Sequence, residues 1–373
     1  MHIHQQLLRA GQAPGPLPFE PALLLLFGSR ELLSSSGIFA ALRQTYSTAC
    51  ITGCSTSGEI LGEQVTDDSI ALTAIRFESA SLQWTEVDLD DLAGDSEAAG
   101  RTLAGALPSD GLRHILVFSE GLRVNGTALV QGMDAVLPRG VTVTGGLAGD
   151  GTAFGETVVI SPTSGPESAY IVAVGLYGSS LRVGYGSKGG WNTFGVDRLV
   201  TRSTNNILYE IDGQPALGLY RSFLGDKAAE LPASGLLFPL SMRASENEPP
   251  VVRTILAIDD QEQSLTFAGD IPQGSYVRLM KSNVDRLIDG AAGAAEFAAQ
   301  QSGSTTELAL LVSCVGRKLV LKQLVEEEVE VVSAMLGKPA ITGFYSYGEL
   351  APSAESANCA LHNQTMTITT LSE

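Results

Sequence analysis

Three loops of similar sequence carry residue types that could bind a small polar molecule. Their sequences are GCSTSGE (53–59), GGLAGD (145–150) and GFYSYGE (343–349). A carboxylate directly follows a glycine in each loop: Glu59, Asp150 and Glu349. Glycine lets a backbone turn with positive φ and approach a ligand closely, and the carboxylate could receive an ammonium or hydroxyl group. The opposing interpretation is that these carboxylates only cap helices or turns. For any one of them taken alone, capping is as common as ligand binding.

The candidate ligand-binding residues all come from these loops. They are Cys54, Ser55, Thr56, Ser57, Glu59, Gly146, Asp150, Tyr345, Tyr347 and Glu349. None of the loops has the glycine spacing of a dinucleotide-binding fingerprint or the lysine of a P-loop. The sequence therefore predicts a small-ligand site without either nucleotide-binding motif.

A catalytic constellation is only weakly indicated. The stretch GCSTSG is close to a nucleophile elbow, but the G-x-S-x-G frame would need glycine in place of Ser57. Cys54 could pair with His114 or His362 as a nucleophile and base, although a cysteine in such a place is more often inert. We predict that the protein is not an enzyme, and hydrolysis or acyl transfer through Cys54 or Ser55 is the alternative.

The four histidines offer few metal ligands. His2 and His4 lie at the N-terminus, and His114 begins an apolar run. His362 stands in the polar phrase NCALHNQT, where a hydrogen-bonding role is more common than ligation. Neutral imidazole is nevertheless the commonest side-chain ligand of metals and haem iron, so His362 is the candidate if iron is bound.

Three sequence repeats predict how these loops are positioned. The apolar runs at 22–29, 114–120 and 308–314 are each followed by a helix-like stretch and a second strand that ends in Thr-Gly. Their spacing is near the ~30 residues that a βαβ unit occupies. The predicted fold is therefore α/β, with repeated βαβ units forming a mainly parallel sheet. The loops would lie at the carboxyl ends of the strands, where open α/β sheets bind ligands.

Two stretches interrupt this pattern. Glycine-rich alternating segments between residues 168 and 213, and again after residue 250, predict antiparallel meander insertions. We place a flexible N-terminus at 1–20, a first domain at 21–214 and a second domain at 215–373.

Composition narrows the class of partner. The chain has 373 residues, a formal net charge of −18 and 44% hydrophobic residues. Nucleic acids and anionic membranes attract clustered Lys and Arg, so this charge argues against both. The N-terminus lacks a secretory pattern, the longest nearby apolar run is too short to span a bilayer, and four cysteines are few. We expect a cytoplasmic protein without membrane insertion.

The chain resembles the FIST family of bacterial sensory proteins. The matching phrases follow one another along nearly the whole chain: GCSTSGEI, VTGGLAGDG, GWNTFG, VTRSTNNILYEIDGQPALGLYRSFLG, GFYSYGELAP and LHNQT. The resemblance implies a FIST N-terminal and a FIST C-terminal domain that together bind small molecules such as amino acids in signal transduction. It also implies a separate output partner, such as a histidine kinase or a cyclic-di-GMP enzyme.

The resemblance raises one further alternative. Some family members of similar length are haem proteins that sense nitric oxide and regulate a kinase. If this chain belongs with them, the resemblance points to His362 as the haem ligand.

Overall fold

The computed structural model describes residues 1–245, 250–352 and 358–373. The strands in the first half, in chain order, are β1 His2–Arg9, β2 Leu23–Gly28, β3 Cys50–Ser55, β4 Glu59–Leu61, β5 Gln64–Thr66, β6 Ser69–Arg76, β7 Ser81–Asp88, β8 Leu112–Ser119, β9 Thr142–Leu147, β10 Val159–Ser161, β11 Gly165–Glu167, β12 Tyr170–Tyr177 and β13 Arg182–Lys188. The later strands are β14 Asn192–Thr193, β15 Arg198–Thr204, β16 Ile207–Ile211, β17 Gln214–Pro215, β18 Leu240–Arg243, β19 Val251–Arg253, β20 Ile255–Asp259, β21 Ser264–Phe267, β22 Tyr276–Lys281, β23 Leu308–Cys314, β24 Ala340–Ser346, β25 Gly348–Pro352, β26 Cys359–His362 and β27 Met366–Ser372.

Eight α-helices lie in the described parts of the chain. They are α1 Arg30–Ser35, α2 Ile38–Thr45, α3 Ser96–Ala106, α4 Gly126–Asp134, α5 Ala216–Leu224, α6 Val284–Ser302, α7 Val315–Leu321 and α8 Val325–Met335. Short 3₁₀ turns occupy Asp90–Leu92, Gly225–Glu230, Ala233–Leu237 and Lys322–Leu324.

Three six-stranded sheets repeat one arrangement. Their strand orders are β1-β6-β2-β3-β10-β11, β7-β12-β8-β9-β25-β26 and β13-β27-β23-β24-β4-β5. One parallel pair lies in the middle of each sheet, β2/β3, β8/β9 or β23/β24, with helices in its crossover. All other strand pairs of the described residues are antiparallel. The three predicted βαβ units are therefore present.

The prediction of a mainly parallel sheet is wrong. Each further parallel strand in a sheet needs another crossover connection. Each unit here makes only one crossover, which is followed by a hairpin. The strand after each hairpin returns antiparallel beside the first strand of its unit, as β6 does beside β2. The hairpin itself joins another unit.

Each unit gives its hairpin to a neighbouring sheet. Hairpin β4–β5 of the first unit pairs with β24 of the third. Hairpin β10–β11 of the second unit pairs with β3 of the first, and β25–β26 of the third pairs with β9 of the second. This exchange is cyclic: each unit gives a hairpin to one neighbour and receives a hairpin from the other. Two of the three sheets contain strands from both sides of the domain boundary that we placed at residue 215.

The N-terminal segment, which we expected to be flexible, contains an edge strand. Strand β1 pairs with β6 along all eight of its residues. The side chain of Gln5 also donates a 2.7 Å hydrogen bond to the carbonyl of Ile341. The sequence HIHQQLLR is mostly polar and has no apolar run of the kind that marks a buried strand. The pairing of β1 with β6 could therefore not be predicted from the sequence.

A nine-stranded, near-closed antiparallel barrel is inserted in the third unit, between β13 and α6. Its main strand order is β19-β18-β22-β15-β16-β21-β20, with β14 beside β22 and β17 beside β16. Helix α5 packs into its core through Leu217 and Tyr220. The predicted antiparallel insertions correspond only in part to this barrel, since the segments at 170–177 and 182–188 are strands β12 and β13 of the six-stranded sheets.

Three aromatic rings fill the centre where the units meet. The ring centroids of Phe27 and Phe344 lie 4.7 Å apart, those of Phe27 and Phe118 5.5 Å, and those of Phe118 and Phe344 6.4 Å. All three side chains are fully buried. The adjoining glycine of each Thr-Gly phrase is required by close packing, since a Cβ on Gly53 or Gly145 would lie 1.9 Å from a carbonyl oxygen of the neighbouring strand.

We expect Phe27→Ala to lower the free energy of unfolding by about 3–5 kcal/mol, because it opens a cavity in contact with all three units. Urea denaturation measures the change. Trp84→Ala is the control, since that exposed aromatic side chain should contribute only about 0.5 kcal/mol. A loss below about 1 kcal/mol for Phe27→Ala would show that the three rings do not hold the units together.

Candidate functional site

The three sequence-related loops meet in a ring at one end of the molecule. Each loop donates a backbone hydrogen bond to the next. The three bonds run from Ser57 to Tyr345 at 2.8 Å, from Tyr347 to Leu147 at 3.2 Å and from Gly149 to Ser55 at 2.9 Å. The structure therefore brings the predicted loops together, and it closes the middle of the ring with main-chain contacts.

The residues under the ring belong to the core. Cys54 is fully buried in the cluster that contains the three phenylalanines, and burial raises the pKa of its thiol well above the usual value. A Cβ on Gly146 would lie 2.6 Å from Cγ1 of Val312. Ser55 accepts a hydrogen bond from the amide of Val158. These positions offer no space for a ligand.

A cavity of about 270 Å³ opens outside the ring, between the first and second loops. We call it the acidic cavity. Its lining residues are Ser29, Arg30, Glu31, Thr56, Ser57, Gly58, Glu59, Asp67, Asp68, Asp150, Gly151, Ala153, Gly155 and Glu156. Four of the predicted ligand-binding residues are among them: Thr56, Ser57, Glu59 and Asp150.

Negative charge dominates the acidic cavity. Six of its lining side chains are carboxylates and one is a guanidinium. Arg30 already donates 2.8 Å hydrogen bonds to Glu31 and Glu156. The ammonium of Lys318 lies at the edge, where it bonds the carbonyl oxygen of Ser57 at 2.8 Å and pairs with Asp67. Both nearby cations are thus engaged, and the surplus charge is negative.

Glu59 is the most enclosed carboxylate of the cavity. Its Oε1 accepts a 2.6 Å hydrogen bond from the Thr56 hydroxyl, and its Oε2 accepts from the Ser69 amide at 3.2 Å and hydroxyl at 2.7 Å. Burial raises its pKa to about 7, with a smaller contribution from the negative charge of Asp67. This carboxyl group can therefore change its charge near neutral pH.

Asp150 organises the opposite wall. Its carboxylate accepts hydrogen bonds from the amides of Phe154, Gly155 and Glu156, at 3.0, 2.8 and 3.0 Å. The hydroxyl of Tyr347 also donates to it, and the rings of Tyr347 and Phe154 stack with centroids 4.8 Å apart. Asp150 thus shapes the loop at 150–156 that encloses the cavity.

Comparison with protein families identifies the chain. Residues 22–214 match the FIST N domain and residues 216–352 match the FIST C domain. The chain belongs to the FIST family. FIST domains are sensory domains of signal transduction. No protein with a curated description matches the sequence significantly.

Two solved structures show only weak likeness to this FIST chain. A chorismatase crystal structure is 10% identical, with a TM-score of 0.36, and the match covers 100% of this chain and 98% of that one. A cyanuric acid hydrolase from A. caulinodans is 11% identical, with a TM-score of 0.22, over 78% of this chain and 67% of that one. Neither likeness establishes catalysis. Every helix in the described ranges is too short or too polar to span a bilayer.

The second glutamate of the FIST repeat, Glu349, faces a different environment. Its Oε1 accepts from Ser346 at 2.7 Å, and its Oε2 accepts from the Thr365 amide at 3.1 Å and hydroxyl at 2.9 Å. This pattern reproduces that of Glu59, yet Glu349 does not line the acidic cavity. In both copies the glutamate lies at the start of the exchanged hairpin. Its side chain accepts hydrogen bonds from the residue that follows the hairpin, Ser69 or Thr365. The shared sequence therefore fixes the exchanged hairpin in both copies. Only in the first copy does the glutamate also line a cavity.

Tyr345 also points away from the acidic cavity. Its hydroxyl donates a 2.7 Å hydrogen bond to Glu328, which forms a fully buried 2.7 Å ion pair with Arg317. Removing one member of such a pair would leave a charge without its partner. Tyr345 therefore belongs to a structural network.

His362, the candidate haem ligand, uses one ring nitrogen in a backbone hydrogen bond. Its Nε2 bonds the carbonyl oxygen of Ala351 at 3.1 Å, within the β25–β26 hairpin. Burial lowers the pKa of its imidazole to about 4, so the ring is neutral. Ligation of iron by Nε2 would require that hydrogen bond to break, whereas ligation by Nδ1 is compatible with it. Within residues 1–245, 250–352 and 358–373, no three or more His, Cys, Asp or Glu side chains are grouped to hold a metal.

Sequence reasoning missed several residues of the acidic cavity. Arg30 and Glu31 follow the first buried strand directly, and the rule that placed the other loops at the carboxyl ends of strands could have found them. Asp67 and Asp68 lie in the turn between β5 and β6. No motif marks them, because they reach the cavity only through the exchange of the β4–β5 hairpin.

We expect Glu349→Gln to reduce the pH dependence of stability. Burial raises the pKa of Glu349 to about 7, so the native protein keeps a proton that the unfolded chain releases near pH 4.3. The contribution of Glu349 to the free energy of unfolding is therefore fully present below about pH 4.3. It is lost as pH rises towards 7, and the loss amounts to a few kcal/mol. Urea unfolding between pH 4.5 and 7.5 should show a shallower decline in the variant. Parallel curves for the variant and the wild type would contradict this.

Proposed function

We propose that this FIST protein senses a small ligand that carries an ammonium group and binds in the acidic cavity. The observation that carries the proposal is the surplus of carboxylates around a half-open cavity whose neighbouring cations are already paired. Charges attract more strongly in a partly buried site than in water, so this cavity favours a cation.

The size of the cavity favours an amino acid or a similar metabolite. Ligand pockets commonly enclose roughly 300–1,000 Å³, and about 270 Å³ lies just below that range. Hydroxyl and backbone groups of Thr56, Ser57 and Gly151 stand beside the carboxylates and could orient the polar part of the ligand.

The loop at 150–156 offers a route for the signal. Gly155 and Glu156 line the acidic cavity and also a neighbouring cavity of about 330 Å³, whose far wall contains Leu256 and Thr266 of the barrel. A ligand that displaces this loop would therefore alter the surface between the sheets and the barrel. We propose that a separate output partner, such as a histidine kinase or a cyclic-di-GMP enzyme, reads this change.

The decisive substitution is Glu59→Gln, with Glu349→Gln as its matched control. Both glutamates accept the same pattern of hydrogen bonds, but only Glu59 lines the cavity. A thermal-shift screen of amino acids and their decarboxylated amines identifies a ligand, and calorimetry measures its affinity. We expect Glu59→Gln to weaken binding at least tenfold, about 1.4 kcal/mol, while Glu349→Gln binds as the wild type does.

The pH dependence provides a second criterion. Because the pKa of Glu59 is raised to about 7, a cationic ligand should bind more tightly to the wild type as pH rises through 7. The Glu59→Gln variant should lose this dependence. Equal affinities of the two variants, or selection of anionic ligands only, would contradict the proposal.

Haem-based sensing of nitric oxide has no comparable support, since His362 lines neither of the cavities described above. We expect the purified protein, titrated with haemin, to show no saturable Soret band of a ligated haem. A band at one haem per chain that disappears in His362→Ala would contradict this expectation and favour the gas-sensing alternative. Hydrolysis through Cys54 or Ser55 is disfavoured because both residues are buried.

A further inference from the structure

We infer that the barrel holds a second binding site, for a small uncharged apolar molecule such as an aromatic hydrocarbon or arylamine. A cavity of about 240 Å³ lies between helix α5 and strands β15, β18 and β22. We call it the apolar cavity. Among its walls are Phe194, Ile211, Phe223, Leu240, Val277 and Leu279. The cavity is concave and apolar, and ligand sites in barrel proteins commonly occupy such places.

The polar groups of the apolar cavity already have partners. Arg198 donates a 2.9 Å hydrogen bond to Asp212, and Arg278 donates one of 2.8 Å to Asp197. The Tyr220 hydroxyl donates to the carbonyl of Phe238 at 2.7 Å. Because each of these groups has a partner within the protein, the cavity favours an uncharged ligand over a charged or strongly polar one. An uncharged molecule loses little by leaving water for such a site.

Cation–π contacts hold the two aromatic walls. The guanidinium of Arg198 lies 5.1 Å from the ring centroid of Phe223, and the ammonium of Lys281 lies 5.7 Å from that of Phe194. The amide of Phe194 also donates a 2.9 Å hydrogen bond to Leu279. Both rings are therefore positioned before any ligand arrives, which lowers the entropic cost of binding.

The mouth of the cavity exposes apolar surface to water. Val196 is 67% exposed and Phe223 is 38% exposed, and both line the cavity. Covering such surface contributes about 25 cal/mol for each Å² removed from water. The enclosed volume suits one small molecule, and its walls on several sides distinguish it from a flat protein-binding face.

This site is independent of the proposed amine sensor. The apolar and acidic cavities share no lining residue and have opposite chemistry. A protein with both sites could respond to two unrelated molecules. The proposal for the apolar cavity therefore does not depend on the proposed function of the acidic one.

A neutral fluorescent probe, N-phenyl-1-naphthylamine, tests the inference. We expect the wild-type chain to bind it at one saturable site and Val196→Asp to weaken binding at least tenfold, because a carboxylate would then stand in the apolar mouth. The matched control is Val136→Asp, which changes a 43% exposed valine outside this cavity. Glu59→Gln should bind the probe as the wild type does, which separates this result from any failure of the acidic site.

The result can also overturn the inference. Absence of saturable uptake by the wild type would do so, as would equal losses in Val196→Asp and Val136→Asp. Thermal unfolding of both variants at the wild-type temperature would show that the fold is intact, as expected for exposed positions. Sedimentation of the wild type as a dimer that Val196→Asp dissociates would show that a second copy, and not a small molecule, covers the cavity.

Discussion

The cyclic exchange of three hairpins is the constraint on which the rest of the structure depends. Each βαβ unit has one parallel pair and an edge that it cannot cover with its own hairpin. A neighbouring unit supplies the missing strands, and the backbone ring among the loops fixes the angle at which the units meet. The phenylalanine cluster then fills the space that this arrangement leaves at the centre.

The acidic cavity lies where the second unit departs from the arrangement that the other two units share. Glu59 and Glu349 anchor their hairpins through matching hydrogen bonds. In the second unit, Gly151 occupies the corresponding place, and the chain runs through a longer loop before β10 begins. Asp150 caps that loop instead of anchoring a hairpin. The departure of one unit from the pattern leaves a volume that the other two units fill with protein.

The sequence indicated the local units better than their assembly. Apolar runs and Thr-Gly phrases located all three parallel pairs, because burial and close packing act on neighbouring residues. Nothing in the short strand EIL of β4 shows that it pairs with β24, about 280 residues away, since such pairing depends on tertiary contacts. The same limit applies to the site. Glu59 and Asp150 were predicted to lie together because of their loops, whereas Tyr345 and Glu349 share the motif and face other networks.

The exchanged hairpins also govern how the chain can fold during synthesis. When the ribosome has completed residues 1–214, strand β9 lacks β25 and hairpin β4–β5 lacks β24. The nascent chain therefore carries an open sheet edge and an unpaired hairpin until its last 35 or so residues emerge, and such edges invite pairing with other chains. Contacts so distant in sequence make folding slow. The interlocking that joins the finished protein into one body thus leaves the nascent chain with unpaired edges that need protection during synthesis.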